Sequence, residues 1–285
     1  RPGRRAVSAP APSLSVVIVS YDSAAELPGT LAALVPQLAA GDELIVVDNN
    51  PGDGSVEAAR EVAPAVTVVD PGGFAGGCNR GASASESELL LFLNPDTEVA
   101  PGCIEALRAA AGGHPGWAAW QPLVTMDDGT LVNTAGNVVH LLGLSWAGRC
   151  GESRSAIGAG DFEAAFASGA ALVVRRAAWE EVGGFDERFF MYCEDLDLSL
   201  RLRLAGWGIG VVPGAVADHR YEFGKGGYKW FLLERNRWWT IIGTYPASVL
   251  VPLLPALIAL ELALLPVAAA GGWLGYKLRA QGAVL

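Results

Sequence analysis

The stretch Leu89-Leu90-Leu91-Phe92-Leu93-Asn94-Pro95-Asp96 decides how the chain is read. Five apolar residues make one buried strand, and the run stops at a proline flanked by an amide and a carboxylate. Open α/β sheets bind ligands at the carboxyl ends of their strands. A carboxylate there can hold a divalent metal against a phosphate, since hard cations take oxygen ligands. The plainer reading is that Asp96 closes a turn or caps the helix after Pro101.

Working outward, the same pattern recurs. Leu14-Ser15-Val16-Val17-Ile18-Val19-Ser20-Tyr21 is a β-branched strand, and leucines at 27, 31, 34 and 38 with Val35 predict a helix after it. Glu43-Leu44-Ile45-Val46-Val47-Asp48 is a second strand ending in a carboxylate. Residues 55–62 predict a short helix, and Val66-Thr67-Val68-Val69-Asp70 a third strand. Nearly continuous apolar strands alternating with helices predict an α/β fold with a mainly parallel sheet covered on both faces.

From residue 117 to 174 short apolar pieces sit among glycines, and Met126-Asp127-Asp128-Gly129-Thr130 has hairpin-turn residues. This predicts a mixed, partly antiparallel extension. Residues 175–182 predict a helix stopped at Gly183-Gly184 by a left-handed cap. Residues 195–204 are ambiguous: leucines at 196, 198, 200, 202 and 204 alternate like a strand, whereas Arg201, Arg203 and Ala205-Gly206 suit a helix end.

The chain has 285 residues, 51% hydrophobic, with a net charge of −10. Mean hydropathy is +0.32. The acidic balance excludes nucleic acid as the main partner, which would need a basic surface. Cys78, Cys103, Cys150 and Cys193 form no C-x-x-C pair and read as small core residues of a reducing compartment. Residues 1–13 are basic, with Pro and Ala but no apolar core of a secretory signal, and read as a disordered arm that starts in the cytoplasm.

Residues 247–271 carry one charge, Glu261. As a helix they would be about 36 Å long, enough to cross a hydrocarbon core. Pro252, Pro255 and Pro266 interrupt it; Trp238, Trp239, Tyr245, Trp273 and Tyr276 flank it as interfacial aromatics do. Arg235, Arg237, Lys277 and Arg279 put positive charge on both sides, so orientation stays open. A span, a re-entrant or interfacial hairpin, and a buried core helix all fit; membrane association fits best.

Chemistry-bearing residues gather near the predicted carboxyl edge: Ser20-Tyr21, Asp48-Asn49 and Asn94-Pro95-Asp96 after three strands, and the glycine-rich loop 71–81 after another. Tyrosine stacks on a base, aspartate accepts from a nucleoside, and glycine lets backbone approach a ligand. Phe74 breaks the G-x-G-x-x-G fingerprint, and the loop lacks the G-K-[ST] of a P-loop.

These pieces, in order, resemble family 2 glycosyltransferases with the GT-A fold, and within them the bacterial rhamnosyltransferase-like enzymes. The matching segments are Val-Ile-Val-Ser-Tyr (17–21), Val-Val-Asp-Asn (46–49), Gly-Gly-Phe-Ala-Gly-Gly-Cys-Asn-Arg-Gly (72–81), Phe-Leu-Asn-Pro-Asp (92–96), Gly-Gly-Phe-Asp-Glu-Arg-Phe-Phe (183–190), Tyr-Cys-Glu-Asp-Leu-Asp-Leu (192–198) and Glu-Arg-Asn-Arg (234–237). The resemblance implies a glycosyltransferase domain over residues 14–245, then an apolar membrane-associated helical segment over 246–285. It implies helix for 195–204.

It also implies inverting transfer of a sugar from a nucleoside diphosphate donor to a glycan or lipid-linked acceptor hydroxyl, assisted by Mg2+ or Mn2+, at the cytoplasmic face of a membrane. Rhamnose from a thymidine diphosphate donor is the sugar the subgroup implies. Asn94-Pro95-Asp96 stands where the family has D-x-D, so Asp96 would bind metal while Asn94 hydrogen-bonds donor. Ser20, Tyr21, Asp48, Asn49, Gly73 and Asn79 would face the donor, Asp195 would be the catalytic base, and Glu194 would meet the acceptor. His219 falls where the family often has a second metal-side ligand; an ordinary buried histidine is the alternative. Residues 220–228 read as a flexible lid or a plain surface loop. Two other classes stay open: a catalytically idle membrane scaffold, and a sugar nucleotidyltransferase.

Overall fold

The computed structural model describes residues 11–69, 73–220 and 226–284. Most of the proposed N-terminal arm and part of the proposed lid therefore lie outside the described residues. The first half alternates as its apolar runs predict: β1 (Leu14–Ser20), α1 (Leu27–Leu34), β2 (Glu43–Asp48), α2 (Ser55–Val62), β3 (Thr67–Val69), α3 (Gly73–Ser83) and β4 (Leu89–Leu93). Then come β5 (Thr97–Val99), α4 (Cys103–Gly113), β6 (Trp117–Met126), β7 (Leu131–Thr134), β8 (Asn137–Val139), β9 (Ser145–Ala147), β10 (Phe162–Glu163) and β11 (Ala171–Arg175). The chain continues through α5 (Arg176–Val182), α6 (Glu194–Leu204), β12 (Gly208–His219), α7 (Tyr228–Thr244), α8 (Ala247–Ala270) and α9 (Leu274–Val284).

Among the described residues one sheet runs β10-β12-β6-β11-β4-β1-β2-β3, with β5 on β12 and β7 on β6. The β4-β1-β2-β3 half is parallel, and β11 inserts antiparallel between β4 and β6. This is the mainly parallel sheet with a mixed extension that the sequence predicts. Separate apolar cores cover its two faces, one around Val16, Ile18, Leu91 and Trp120, the other around Val17, Phe92, Leu172 and Trp179. Because both faces are buried, the strands carry no alternation.

The 71–81 segment departs from its expectation. From Gly73 onward it is helix, not loop. Glycine serves packing here: a Cβ at Gly81 would lie 2.3 Å from Val17 Cγ1, and one at Gly77 would lie 3.2 Å from Val19 and Val47 side chains. These glycines let α3 lie directly on β1 and β2. The hairpin at 126–131 forms with Asp127, Asp128 and Gly129 all left-handed, and Gly183 and Gly184 cap α5 in that conformation. Cys78 and Cys103 are core residues as expected, but Cys150 is exposed and Cys193 half-buried.

The helix before the last, α8, is apolar along 24 residues with a mean hydropathy of 2.3 over its most apolar window, and is long enough to cross a membrane. Almost all of that window is uncovered by the rest of the chain.

Candidate active site

Parallel register builds the edge. Ser20 pairs with Asp48, and Ile18 pairs with Leu93, so the ends of β1, β2 and β4 lie side by side. Tyr21 is 64% exposed there, its ring free to stack on a planar ligand. The Ser20 Oγ is buried without a hydrogen-bond partner among the described residues, and its carbonyl accepts from Asn49 N–H at 2.9 Å. Asp48 is half-buried and accepts from Asn50 N–H.

The Asn94-Pro95-Asp96 turn is fixed from three directions. Asn94 N–H donates to Ala170 O at 2.9 Å, Thr30 Oγ1 donates to Pro95 O at 2.7 Å, and Arg220 N–H donates to Asp96 O at 3.1 Å. Immediately after the turn, β5 pairs antiparallel with the end of β12, placing His219 opposite Thr97. That pairing brings two residues 123 positions apart together: His219 Nε2 lies 3.2 Å from Asp96 Oδ1. The Asn94 amide nitrogen is 3.4 Å from the same ring nitrogen.

One carboxylate just before β5 and one imidazole at the end of β12 thus converge, and together they could hold a divalent cation. Among the described residues no third His, Cys, Asp or Glu joins them. Further ligands would therefore be substrate oxygens and water, the usual arrangement for such ions at phosphates.

Asp195, in the first turn of α6, meets the turn at residues 168–170 that also receives Asn94. Its Oδ2 accepts from Gly169 N–H at 2.9 Å and its Oδ1 from Leu196 N–H at 2.8 Å. Burial pushes its carboxyl above the ordinary range, while those two backbone donors pull it back. Glu194 is only 5% exposed. Its Oε2 has no hydrogen-bond partner among the described residues. Burial first, and the charge of Asp195 second, push it well above the ordinary carboxylate range.

The loop entering α6 is strained. Phe190, Tyr192 and Cys193 all have φ between 61° and 67°, a conformation that costs non-glycine residues and tends to cluster at functional sites. Asn236, fully buried on α7, holds this loop: its Nδ2 donates to the carbonyls of Phe189, Met191 and Tyr192 at 3.1, 2.8 and 2.7 Å. Arg235 adds a bond to Phe189 O at 3.0 Å. The 234–237 motif is legible in the sequence, but this role is not, because it depends on pairing elements more than 40 positions apart.

Two expected donor contacts sit elsewhere. Asn79 directs its amide to Phe185 O, Phe185 N–H and Glu187 Oε1, at 2.9 to 3.0 Å, so it buttresses the 183–187 loop. Gly73 is left-handed, with φ 68°, beneath Phe190; a Cβ there would lie 2.7 Å from the ring. Gly73 thus packs against the loop that leads to α6.

The chain is similar to known proteins in both sequence and fold. The chain is 32% identical over 238 residues to the N-acetylglucosaminyl-diphospho-decaprenol L-rhamnosyltransferase of Mycobacterium tuberculosis, covering 75% of this chain and 78% of that one. Its fold is similar to the mannosyltransferase PcManGT of Pyrobaculum calidifontis, solved with GDP-Man and Mn2+, with TM-score 0.59, 19% identity, and coverage of 95% of this chain and 79% of that one. It is also similar to GalNAc-T7, solved with UDP, GalNAc and Mn2+, with TM-score 0.66 and 16% identity, over 81% of this chain and 48% of that one. The sequence model of glycosyl transferase family 2 matches residues 15–181, and the chain belongs to that family, with the GT-A fold.

Proposed function

We propose that this glycosyltransferase moves rhamnose from a thymidine diphosphate donor, with inversion, to the N-acetylglucosaminyl end of a polyprenyl diphosphate. The sugar and acceptor rest on the mycobacterial relative, whose name states both rhamnose and the lipid-linked acceptor. Transfer takes place at the cytoplasmic face of a membrane, to which α8 brings the site.

The observation that carries the mechanism is the shared turn 168–170, which holds the Asn94 backbone on one side and the Asp195 carboxylate on the other. Ser20, Tyr21, Asp48 and Asn49 receive the nucleoside, and Asn94 meets the diphosphate. Asp195 accepts the proton of the acceptor hydroxyl as that oxygen attacks the anomeric carbon, while the bond from that carbon to the diphosphate breaks and nucleoside diphosphate leaves. A base within hydrogen-bond reach of the nucleophile is the requirement, and its two backbone donors orient it. Asp96 and His219 would hold a divalent ion, which when bound neutralises charge developing on the departing diphosphate.

Glu194 lies too deep, at 5% exposure, to meet acceptor directly. Its buried carboxyl would support the floor beneath Asp195. The strained loop before it, with Phe190 45% exposed, lies nearer to where acceptor must approach.

The test is transfer itself. Purified protein with thymidine diphosphate rhamnose and an N-acetylglucosaminyl-diphospho-prenol should give a disaccharide lipid whose new linkage has the anomeric configuration opposite to the donor's. A retained configuration would remove Asp195 as base. Absence of nucleoside diphosphate release with every nucleotide sugar would favour the scaffold reading, and pyrophosphate exchange would favour a nucleotidyltransferase.

A further inference from the structure

The apolar helix α8 has one face that belongs to the protein. Along one stripe, with residues spaced three and four apart, Leu257 and Ala268 are buried and Leu250, Leu253, Glu261 and Leu264 half-buried, and every other position except Leu260 and Leu265 is exposed. This less exposed stripe extends about 27 Å along the helix, roughly three quarters of its length. A helix leaving a domain to cross a bilayer would be covered at one end only.

The single charge on α8 lies in that stripe. Glu261 pairs with Arg237 of α7, and its other oxygen accepts from Lys277 at 2.7 Å and Gln281 at 2.7 Å, both on α9. Lys277 also pairs with Glu234 of α7 at 2.5 Å, and Arg237 with Glu234 at 3.4 Å. Two acids and two bases thus close a neutral cluster, with side chains no more than 14% exposed. Arg237 reaches the β8–β9 hairpin as well, donating to Leu142 O at 3.2 Å.

Glu261 is the fifteenth residue of α8, so in a perpendicular span it would lie about 21 Å from the first. Placing it there would carry Arg237, Lys277 and Glu234 into hydrocarbon with it, where each charge is costly. It would also carry in α7, whose Asn236 and Arg235 hold the loop before Asp195. α9, eleven residues long, returns along α8 and is too short to cross.

We infer that α8 is a monotopic anchor: it lies in the plane of a lipid bilayer with its exposed apolar side sunk in one leaflet, and both its ends stay on the side of the catalytic domain. This rests on the membrane reading given under the proposed function. The exposed side carries Val251, Ile258 and Leu262, at 62%, 59% and 62% exposure and on one helical face. At the far end Trp230 stacks on Trp273 at 4.6 Å and Tyr228 is 54% exposed, aromatic residues of the kind that favour the headgroup level. An apolar helix face in this setting enters the headgroup and acyl boundary without crossing it. Through α7, the anchor then fixes the height of the acceptor side of the site above the lipid.

Two measurements test this on the full chain. The first places a tag after Leu285 and binds the protein to vesicles of phosphatidylcholine and phosphatidylglycerol, or isolates it in membrane vesicles of known sidedness. Protease should remove the tag and digest the catalytic domain from the same side; a tag protected while the domain is cut would mean a span and overturn the proposal. The second puts a nitroxide at Val251→Cys, Ile258→Cys or Leu262→Cys in a Cys150→Ser, Cys193→Ser background. The three should report equal depth, whereas a span separates the first and last by about 16 Å. Protein that neither floats with vesicles nor sediments with membranes would instead overturn the membrane reading itself.

Discussion

Asn94 and Asp195, a hundred residues apart, are bound to adjacent residues of one turn: Asn94 N–H donates to Ala170 O, and Asp195 Oδ2 accepts from Gly169 N–H, each at 2.9 Å. The end of β4 and the start of α6 are thereby locked to each other. The turn packs against both acids, since a Cβ at Gly169 would lie in ordinary van der Waals contact, 3.6 to 3.7 Å, with Glu194 and Asp195 side-chain atoms. In the proposed mechanism, the distance between the metal side and the base side is set by this backbone turn.

Asp195→Asn should lower kcat by about 10²- to 10⁴-fold, the usual contribution of a positioned general base. The amide keeps the shape and Oδ1 still accepts from Leu196 N–H, so nucleoside diphosphate affinity should not change. Steady-state kinetics with calorimetric titration of the nucleotide separates the two effects. Unchanged turnover would reassign the base.

Glu194→Gln should stabilise the protein, and more so at pH 8 than at pH 5. Burial raises the folded-state pKa of Glu194 well above its ordinary 4.5. The folded protein therefore keeps this proton to higher pH than the unfolded chain does. The resulting stabilisation is complete below the unfolded value and is lost as pH rises through the folded one. Glutamine removes that loss, so the difference in Tm between variant and parent should widen with pH. A constant difference would show that the carboxyl is not desolvated.

Asp96→Ala and His219→Ala should each weaken divalent-ion-dependent donor binding by at least about tenfold, as loss of a group at or next to a metal does. Titrations of the nucleotide sugar with and without Mn2+ read this directly. In the parent the ion should tighten binding; in both variants the two curves should converge. A His219→Ala curve identical to the parent's would return that histidine to a structural role.

Much of this architecture is legible in the sequence because both faces of the sheet are buried, so strands appear as unbroken apolar runs ending at Ser20, Asp48 and Leu93. What misleads is local. The alternating leucines of 196–204 read as a strand, yet α6 buries Leu198 and Leu202 against the sheet and Leu196 elsewhere, while Leu204 is 65% exposed. Covering on two sides blurs a helical stripe into alternation. The glycines of 73–81 read as a loop because glycine breaks isolated helices, whereas here close contact with Val17 and Val19 demands it. Asn79 reads as a donor contact in the sequence and Asn236 only as part of the 234–237 motif; tertiary pairing shows that both grip backbone.

Asn236 offers the sharpest separation of positioning from binding. Its amide donates to three carbonyls of the loop whose left-handed residues lead into Glu194 and Asp195. Asn236→Ala leaves those buried acceptors without their donor, at a cost of about 1–3 kcal/mol in stability. Release of the loop should also displace Asp195, and misplacement by about 1 Å costs on the order of 100-fold in rate. Nucleoside diphosphate affinity should hold, because Ser20, Tyr21 and Asp48 lie at the ends of strands that Asn236 does not touch. Asn236→Asp keeps the volume but replaces the donor with an acceptor facing three carbonyls, so it should rescue nothing. If Asn236→Asp restores kcat, packing rather than hydrogen bonding orders the loop, and the positioning role falls.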